Sequence, residues 1–243
     1  MFRYINKVVS TIILLTLIAS SEAWAMPQKA LPKLIQANYI ITKDGQKIAK
    51  VREQYTVTGD SYQVESVTKG IGIYALMGER KLTSTGKVTK QGLQPTRFEL
   101  HQGYSDKKTL LADFDWKKST LTMNVKGENH EAKLSEGTQD LASFAYQFMF
   151  LPKPPNERTT VTLTTGKKLN VYKYQNNEPL GTMSVAGKVY KTVHLVPANQ
   201  SSSQVETREL WLAENQHYLL VRFVLVDDKG EKLVQTLTDL VVE

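Results

Sequence analysis

The chain has 243 residues, a formal net charge of +7 and 41% hydrophobic residues, a size and composition suited to one soluble domain with its own core. It contains no cysteine, which excludes both a disulfide framework and a lipid-modified N-terminal cysteine. The basic residues are scattered and no recognition motif accompanies them, so a nucleic-acid partner is not expected. Solvated turn residues explain them best, and attraction to an anionic membrane surface or an acidic partner is the alternative.

The first 25 residues have the pattern of a cleavable secretory signal. A short basic segment with Arg3 and Lys7 precedes a mostly apolar run from Val8 to Ile18. Ala23-Trp24-Ala25 then gives the small-x-small pattern that signal peptidases accept. The apolar run is shorter than the roughly 20 residues that cross a bilayer, so an uncleaved anchor is the weaker alternative. We predict an exported protein without a stable membrane anchor.

Alternation of apolar and polar residues dominates the remainder of the chain. Residues 26–33 are predicted to be a flexible N-terminus, and residues 34–243 a single β-rich domain. The first extended segment has one apolar face, formed by Ile35, Ala37, Tyr39 and Ile41. Asp44-Gly45 supplies a turn, and the next segment, from Ala49 to Val57, keeps the same pattern with Glu53 as its one interruption.

A glycine-bounded apolar segment, Gly70 to Gly78, follows the first strands. It lacks the Gly-Lys-Ser/Thr ending of a phosphate-binding loop. Such residues usually pack into the core, and that is the expected arrangement here. The functional alternative is a mobile lid over a cavity, in which Tyr74, Leu76 and Met77 contact an apolar ligand, because aromatic and methionine side chains adapt to varied shapes.

The clearest hairpin lies between Leu110 and Val125. Its first arm alternates between apolar and polar residues as far as Trp116, and Lys117-Lys118-Ser119 reverses the chain. The second arm, from Leu121 to Val125, alternates in the same way. Each arm therefore has one apolar and one polar face, as expected of a sheet that covers a core.

One segment, Asp140 to Leu151, has helical periodicity. Its apolar residues fall at i, i+3, i+4 and i+7, namely Leu141, Phe144, Ala145 and Phe148. Thr138 or Asp140 is a suitable N-cap, and Pro152, Pro154 and Pro155 would end the helix. We predict an amphipathic helix that lies across the sheet or closes the end of an incomplete barrel, with Phe144 and Phe148 as candidate ligand contacts.

The C-terminal part is the most strongly β. The segment Tyr218 to Val226 is apolar on both faces apart from Arg222, which predicts a central strand. Arg222 is expected to pair with a carboxylate such as Asp239 on the next strand. The alternative is that Arg222 binds an anionic head group, and it is therefore also a candidate ligand-binding residue.

No catalytic or metal-binding arrangement is predicted. The four histidines, at positions 101, 130, 194 and 217, stand apart from any metal-ligand motif, and no cofactor is expected. Asp140 with Ser143 could suggest a nucleophile, but neither G-x-S-x-G nor S-x-x-K is present. An N-cap with a serine in the first helical turn explains this pair better.

Several short motifs resemble a family of bacterial envelope proteins called domain of unknown function 3108 (DUF3108). They are Ser84-Thr85-Gly86, Gly92 to Pro95 followed by Phe98, Asp115-Trp116, Gln139 to Gln147, and Trp211-Leu212 with Leu219 to Phe223. The resemblance implies an exported, mostly antiparallel β protein without an established activity. It also implies an architecture similar to that of periplasmic lipoprotein carriers, in which a curved sheet surrounds a hydrophobic cavity.

These observations favour a periplasmic, non-enzymatic binding or carrier protein for an apolar or lipid-like ligand. The fold class expected is mainly β, with an antiparallel curved sheet or incomplete β-barrel and one central amphipathic helix. An alternative is a structural or assembly factor of the cell envelope that contacts another envelope protein, with its interior filled by side chains. A hydrolase is the third and weakest hypothesis.

Overall fold

The computed structural model describes residues 30–104, 109–151, 158–177, 180–185, 187–198, 206–227 and 229–243. Residues 31–243 form one compact unit. The predicted signal peptide and the three prolines predicted to end the helix lie outside the described residues. Within the part described, no helix is long and apolar enough to cross a membrane.

Eight strands come from the first half of the chain. They are β1 (Leu34–Lys43), β2 (Gln46–Thr58), β3 (Ser61–Gly70), β4 (Arg80–Thr89), β5 (Gly92–Gln102), β6 (Leu110–Asp115), β7 (Thr120–Val125) and β8 (Glu128–Lys133). A 3₁₀ helix, Gly72–Met77, lies between β3 and β4. Because each strand pairs with the next one in sequence, this half is an antiparallel meander.

The second half contributes eight more strands. They are β9 (Gln139–Asp140), β10 (Thr159–Thr164), β11 (Leu169–Asn176), β12 (Gly181–Val185), β13 (Lys188–Pro197), β14 (Thr207–Ala213), β15 (Leu219–Val226) and β16 (Lys232–Val242). Helix α1 (Phe144–Gln147) and a 3₁₀ turn (Phe148–Phe150) follow β9, and a further 3₁₀ turn (Glu214–Gln216) precedes β15.

All sixteen strands found in the described residues belong to one sheet. Its order is β8-β7-β6-β5-β4-β3-β2-β1-β16-β15-β14-β13-β11-β10-β9, and β12 pairs separately with β13. Pairing between β1 and β16 joins the two halves, and every strand pair is antiparallel except the short β9–β10 pair. The two ends of this order do not pair, but β9 contacts β5, so the sheet curls back on itself without closing. The predicted fold class is confirmed.

Alternation determines which side chains face the interior of this curled sheet. In β1 the predicted apolar face is buried at Ile35, Ala37 and Tyr39, and the predicted hairpin is present as β6 and β7, with Ala112 opposite Met123. Strand β15 lies between β14 and β16, as predicted for a central strand.

Local irregularities help to bend the long strands. Register shifts occur in the β1–β16 pair, in the β4–β5 pair at Thr85 and Gly86, and in the β14–β15 pair at Trp211 and Leu212. A shift of this kind increases the local twist of a strand. Gly86 has a steric role there, because a Cβ atom at this position would collide with the Gln94 carbonyl oxygen and with the Tyr62 ring.

The predicted helix from Asp140 to Leu151 is wrong in its length and start. Gln139 and Asp140 form a strand that pairs with Leu163 and Thr164 of β10, and residues 141–143 form a turn. The helix occupies only Phe144–Gln147, continued by the 3₁₀ turn as far as Phe150. Pairing with β10 holds the first residues extended, so the helical periodicity is realised over little more than one turn.

Candidate functional site

A cavity of about 370 Å³ lies between the inward face of the sheet and the turn before α1. Strands β1 to β4 form one wall, β14 to β16 form the other, and residues 141–145 cover it. The apolar part of its wall includes Ile41, Leu82, Leu141, Phe144, Phe223 and Leu233. Sites for small apolar ligands have volumes of roughly 300–1,000 Å³, so the cavity can hold a small ligand or part of a larger one.

A larger depression, of about 850 Å³, lies over β1, β2 and β3. Its wall includes Lys47, Lys50 and Arg52, whose side chains are exposed. These three charged side chains project into water over an open depression, whereas residues 141–145 cover the smaller cavity. The smaller cavity is therefore the better candidate for an apolar ligand.

Arg80 is a half-buried cation in the cavity wall. It begins β4 opposite Thr68, and it has the same phase as buried Leu82, so its side chain points to the inward face. Among the described residues, no carboxylate or other acceptor forms an ion pair or hydrogen bond with its guanidinium. Burial lowers the pKa of Arg80, and the nearby charge of Arg208 lowers it further.

Arg208 is a second cation in the same wall, and this one has a partner. It lies on β14 opposite Leu225 and is only 9% exposed. Glu206 Oε1 accepts a hydrogen bond from its Nε at 2.7 Å and forms an ion pair with its Nη2 at 2.6 Å. The guanidinium also lies over the Tyr172 ring, 4.8 Å from the centroid. Both contacts fix the position of Arg208 at the edge of the cavity.

Glu53 is a carboxyl group in the cavity wall. It lies on β2 opposite Ser66, whose hydroxyl donates to Glu53 Oε1 at 3.1 Å. The Tyr146 hydroxyl donates to Oε2 at 3.2 Å, and the Tyr146 ring stacks on Tyr55 with centroids 5.1 Å apart. Burial raises the pKa of Glu53, and these two hydrogen bonds lower it in part. Its hydrogen bonds thus attach α1 to β2.

Asp140 is a fully buried carboxyl group beside the cavity. Ser84 donates to its Oδ2 at 2.6 Å, and the backbone N–H groups of Ala142 and Ser143 donate to its Oδ1 at 2.8 and 2.9 Å. The Tyr62 hydroxyl forms a hydrogen bond of 3.0 Å with Ser84. Burial raises the pKa of Asp140 to about 6, although these donors oppose the change. The prediction that Thr138 or Asp140 is the N-cap of the helix is wrong, because Ser143 precedes α1 and Asp140 instead accepts hydrogen bonds from the turn before it.

Two glutamines connect the same segment to β5. Gln139 Nε2 donates to the Leu93 carbonyl at 2.8 Å, and the Leu93 N–H donates to Gln147 Oε1 at 2.7 Å. Gly92 has a φ of 122°, and a Cβ atom there would collide with the Gln147 amide. The polar residues of the Gln139–Gln147 motif therefore fasten this segment over the sheet, where it covers the cavity.

The two candidate phenylalanines have different surroundings. Phe144 lies in the cavity wall. Phe148 is buried beside Val193, Leu195 and Leu210, in a cluster against which Phe144 also packs, but Phe148 is not in the cavity wall. The structure therefore brings Phe144, but not Phe148, to the cavity.

The three candidate residues of the Gly70–Gly78 segment lie outside the cavity wall. The 3₁₀ helix Gly72–Met77 has no buried residue, and Leu76 and Met77 are 85% and 61% exposed, while Tyr74 is 37% exposed. The expectation that this segment packs into the core is wrong. Gly70 places it close against the sheet, since a Cβ atom there would collide with the Tyr74 carbonyl, yet the side chains point to solvent.

Arg222 lies on the opposite face from the cavity. It is paired with Trp211, and its guanidinium lies 5.1 Å from the centroid of that indole ring, whereas Phe223, the next residue, is in the cavity wall. The predicted ion pair with Asp239 is absent, and Asp239 instead accepts a hydrogen bond from Asn38. Arg222 Nε is buried without a hydrogen-bond partner.

The charged residues of the cavity, Arg80 and Arg208, were missed by the sequence prediction. A signal for them does exist: each stands in phase with buried residues of its own strand, Arg80 with Leu82 and Arg208 with Leu210. Glu53 shows the same signal in the apolar face of β2. Arg222 was more conspicuous in sequence because its neighbours are apolar on both sides, but its side chain points away from the cavity.

Metal ligation finds no support within the described ranges, where no group of three or more His, Asp or Glu residues could hold an ion. Asp140 and Ser143 contact one another through backbone groups, with the Asp140 N–H donating to Ser143 Oγ at 3.0 Å. The Ser143 hydroxyl donates to the Asp140 carbonyl oxygen at 3.5 Å, so both residues belong to the turn before α1. A nucleophilic serine instead donates its proton to a base.

Comparison with known proteins gives one family match. The family described as "Protein of unknown function (DUF3108)" matches residues 35–238. No functionally curated protein matches the sequence. Among solved structures, the chain is similar to a protein with a YmcC-like fold from Bacteroides fragilis, at 9% identity and a TM-score of 0.37, over 87% of this chain and 98% of that one. It is also similar to a DUF1329 family protein from Desulfovibrio piger, at 11% identity and a TM-score of 0.23, over 87% and 86% of the two chains.

Proposed function

We propose that this chain, which belongs to the DUF3108 family, is a non-enzymatic binding or carrier protein of the bacterial periplasm that holds an apolar, lipid-like ligand. The single observation that carries the proposal is the cavity of about 370 Å³ between the curled sheet and residues 141–145. A protein that acted only as a structural element would be expected to fill this space with side chains, because interiors are close-packed.

The construction of the cover supports a binding role. Gln139 donates a hydrogen bond to Leu93, and Asp140 and Gln147 accept hydrogen bonds from Ser84 and Leu93, which holds this segment in place over the space beneath it. A preformed apolar cavity binds its ligand without the cost of opening the protein. The cover contributes Leu141 and Phe144 to the apolar wall.

Export is part of the proposal and is supported by the sequence of the first 25 residues. The expected product is a processed chain that begins at Met26 in the periplasmic fraction. Mass spectrometry of the protein recovered from that fraction measures this directly. Recovery of the unprocessed chain in the cytoplasmic fraction would contradict it.

Fluorescence titration with a labelled fatty acid tests ligand binding. The processed chain is expected to bind the probe with saturation at one site. The variant Gln235→Trp places an indole in the cavity and is expected to abolish binding, since Gln235 is in the wall. Thr236→Trp is the matched control, because the adjacent residue of β16 points to the other face.

Two results would refute this function. One is absence of probe binding by the folded wild-type chain. The other is equal binding by Gln235→Trp and Thr236→Trp, which would place the probe elsewhere on the surface. Circular dichroism of both variants checks that each one keeps its β-sheet signal.

One observation favours a second function, that of an envelope assembly factor. The exposed 3₁₀ helix Gly72–Met77 presents Ile73 and Leu76 at 77% and 85% exposure, and adjacent apolar side chains in water are typical of a protein-contact surface. Crosslinking in cells, followed by identification of the crosslinked protein, tests this role. A specific crosslinked partner lost in Leu76→Asp, but retained in Gln235→Trp, would favour the assembly factor over the carrier.

A further inference from the structure

The cavity contains an unequal arrangement of charges. Arg80 and Arg208 both lie in its wall, and they are close enough that the charge of Arg208 lowers the pKa of Arg80. They come from distant strands, β4 and β14, and only the curl of the sheet brings them to one end of the cavity. Two cations at one end of an apolar space repel each other unless an anion lies between them.

Only one of these two cations is neutralised by the protein. Glu206 binds Arg208 through both Nε and Nη2. Arg80 has no such partner among the described residues, although it is half-buried. A charge removed from water without a partner is costly, and the remaining partner can be supplied by a ligand. An anionic group in the cavity would supply Arg80 with the opposite charge that no described residue provides.

The other polar groups of the wall do not supply that charge. The two carboxylate oxygens of Glu53 accept hydrogen bonds from the Ser66 and Tyr146 hydroxyls. Thr68 and Gln235 are uncharged. Glu53 would also repel an anionic group placed near β2, and this restricts such a group to the end of the cavity where Arg80 and Arg208 lie.

We infer that the ligand is an anionic amphiphile whose carboxylate or phosphate group lies between Arg80 and Arg208 and whose apolar part contacts Phe144, Leu141 and Phe223. This inference rests on the proposed function, in which the cavity holds an apolar ligand. Guanidinium groups suit both head groups, because their planar N–H donors bind two oxygens at once. The volume of about 370 Å³ limits the enclosed part to a small amphiphile or one short chain.

Isothermal titration calorimetry with ligands of one chain length tests the inference. The probes are decanoate, decyl phosphate, decanol and decyltrimethylammonium, each below its micelle concentration, added to the processed chain. The anionic probes are expected to bind at least about tenfold more tightly than decanol, because a hydrogen bond to a charged group is worth about 1.5–3 kcal/mol, and about 1.4 kcal/mol is tenfold. The cationic probe is expected to bind most weakly. Comparison of decanoate with decyl phosphate shows which head group the site prefers.

The variant Arg80→Met removes the positive charge from the cavity wall and replaces it with an apolar side chain. It is expected to lower the affinity for the anionic probes to that for decanol. Arg80→Lys keeps the positive charge and is expected to retain part of the preference. Lys81→Met is the matched control, since Lys81 is the next residue of β4, points to the other face and pairs with Glu65 at 2.6 Å. Thermal unfolding of each variant verifies that it is folded.

The outcomes separate the two proposals. If no probe binds to the folded wild-type chain, the proposed function fails, and the inference fails with it. If decanol and decanoate bind equally, and Arg80→Met changes neither, the carrier function stands and the anionic head group is refuted. A preference for anions that Lys81→Met removes but Arg80→Met does not would also refute it.

Discussion

Two polar sites on the inward face of the sheet differ in one respect. At Asp140, both carboxylate oxygens accept hydrogen bonds from groups of the protein, and each of these donors comes from the sheet or the adjacent turn. At Arg80, the guanidinium faces the cavity without an ion-pair or hydrogen-bond partner in the described part of the chain. Burial raises the pKa of Asp140 and lowers the pKa of Arg80, and both changes favour the neutral form of the side chain.

This difference distinguishes a structural group from a binding group. A buried polar group that is fully hydrogen-bonded within the protein stabilises the fold, and its removal leaves several partners unsatisfied. A partly buried charge without a partner destabilises the free protein and is compensated only when a ligand supplies the opposite charge. Substitutions at the two sites should therefore have effects of opposite sign on stability.

The largest expected effect comes from Asp140→Ala. Loss of the carboxylate leaves Ser84 and the N–H groups of Ala142 and Ser143 without their acceptor, which should lower the free energy of unfolding by about 2–4 kcal/mol. Urea unfolding monitored by circular dichroism measures this value. Asp113→Ala, which removes an exposed ion pair to Arg97, is the control and should cost less than about 1 kcal/mol. Equal stability of the two variants would show that the Asp140 network is not structural.

The pKa of Asp140 adds a pH dependence of comparable size. Because the pKa rises from 3.8 in the unfolded chain to about 6 in the fold, the folded state binds the proton more tightly, and the contribution of Asp140 to stability is largest below pH 4 and decreases as pH rises to 6. A difference of about 2 between the folded and unfolded pKa values corresponds to roughly 3 kcal/mol in the free energy of unfolding. Asp140→Asn lacks this titration, so the free energy of unfolding of the wild type minus that of this variant should decrease from pH 4 to pH 7. A constant difference would contradict the raised pKa.

Arg80→Met tests whether Arg80, unlike Asp140, is dispensable for the stability of the fold. In the absence of ligand, this variant should be as stable as the wild type or more stable by up to about 2 kcal/mol, because it removes a half-buried charge without a partner and keeps an apolar stem. Urea unfolding of protein freed of lipid by solvent extraction and refolding gives the value. A loss of more than about 1 kcal/mol would mean that Arg80 contributes to the fold, and the contrast with Asp140 would disappear.

Tyr146→Phe should have a smaller effect. It removes the hydroxyl that donates to Glu53 Oε2 but keeps the ring that stacks on Tyr55, so the free energy of unfolding should decrease by about 1 kcal/mol. The pKa of Glu53 should rise further, because one of the two donors that lower it is lost. Carboxyl titration by NMR measures that shift. A lower pKa of Glu53 in the variant would refute this assignment.

The smallest effect is expected on the exposed 3₁₀ helix. Leu76→Ser should change the free energy of unfolding by no more than about 0.5 kcal/mol, since Leu76 is 85% exposed. A loss of 2 kcal/mol or more in urea unfolding would show that Leu76 is buried in solution. The segment would then resemble the core loop expected from sequence.

The strands were predictable because their information is local. Alternation in β6 and β7, together with the turn between them, determines both the pairing and the face that is buried. The segment after Thr138 was predicted less well, because Gln139 and Asp140 pair with β10, whose residues are distant in sequence. Tertiary pairing of this kind overrides a helical periodicity of one or two turns.

The cavity could not be predicted, because it depends on how the sheet curls. Arg80 and Arg208 meet only when β4 and β14 approach one another across the interior. Alternation within their strands predicts that Arg80, Arg208 and Glu53 point inward. Alternation alone does not show which inward-facing residues line the same cavity. Arg222 illustrates the converse, since the register shift in the β14–β15 pair leaves it opposite Trp211 on the outer face, although Leu220, two residues earlier, lies in the cavity wall.

Native mass spectrometry of the processed chain, isolated from the periplasmic fraction without detergent, tests the central claim most directly. The wild type and Thr236→Trp should carry the same bound molecule, and Gln235→Trp, with its cavity filled, should lack it. If all three proteins carry the bound molecule, or if none of them does, this result would contradict a ligand held between the sheet and the turn before α1.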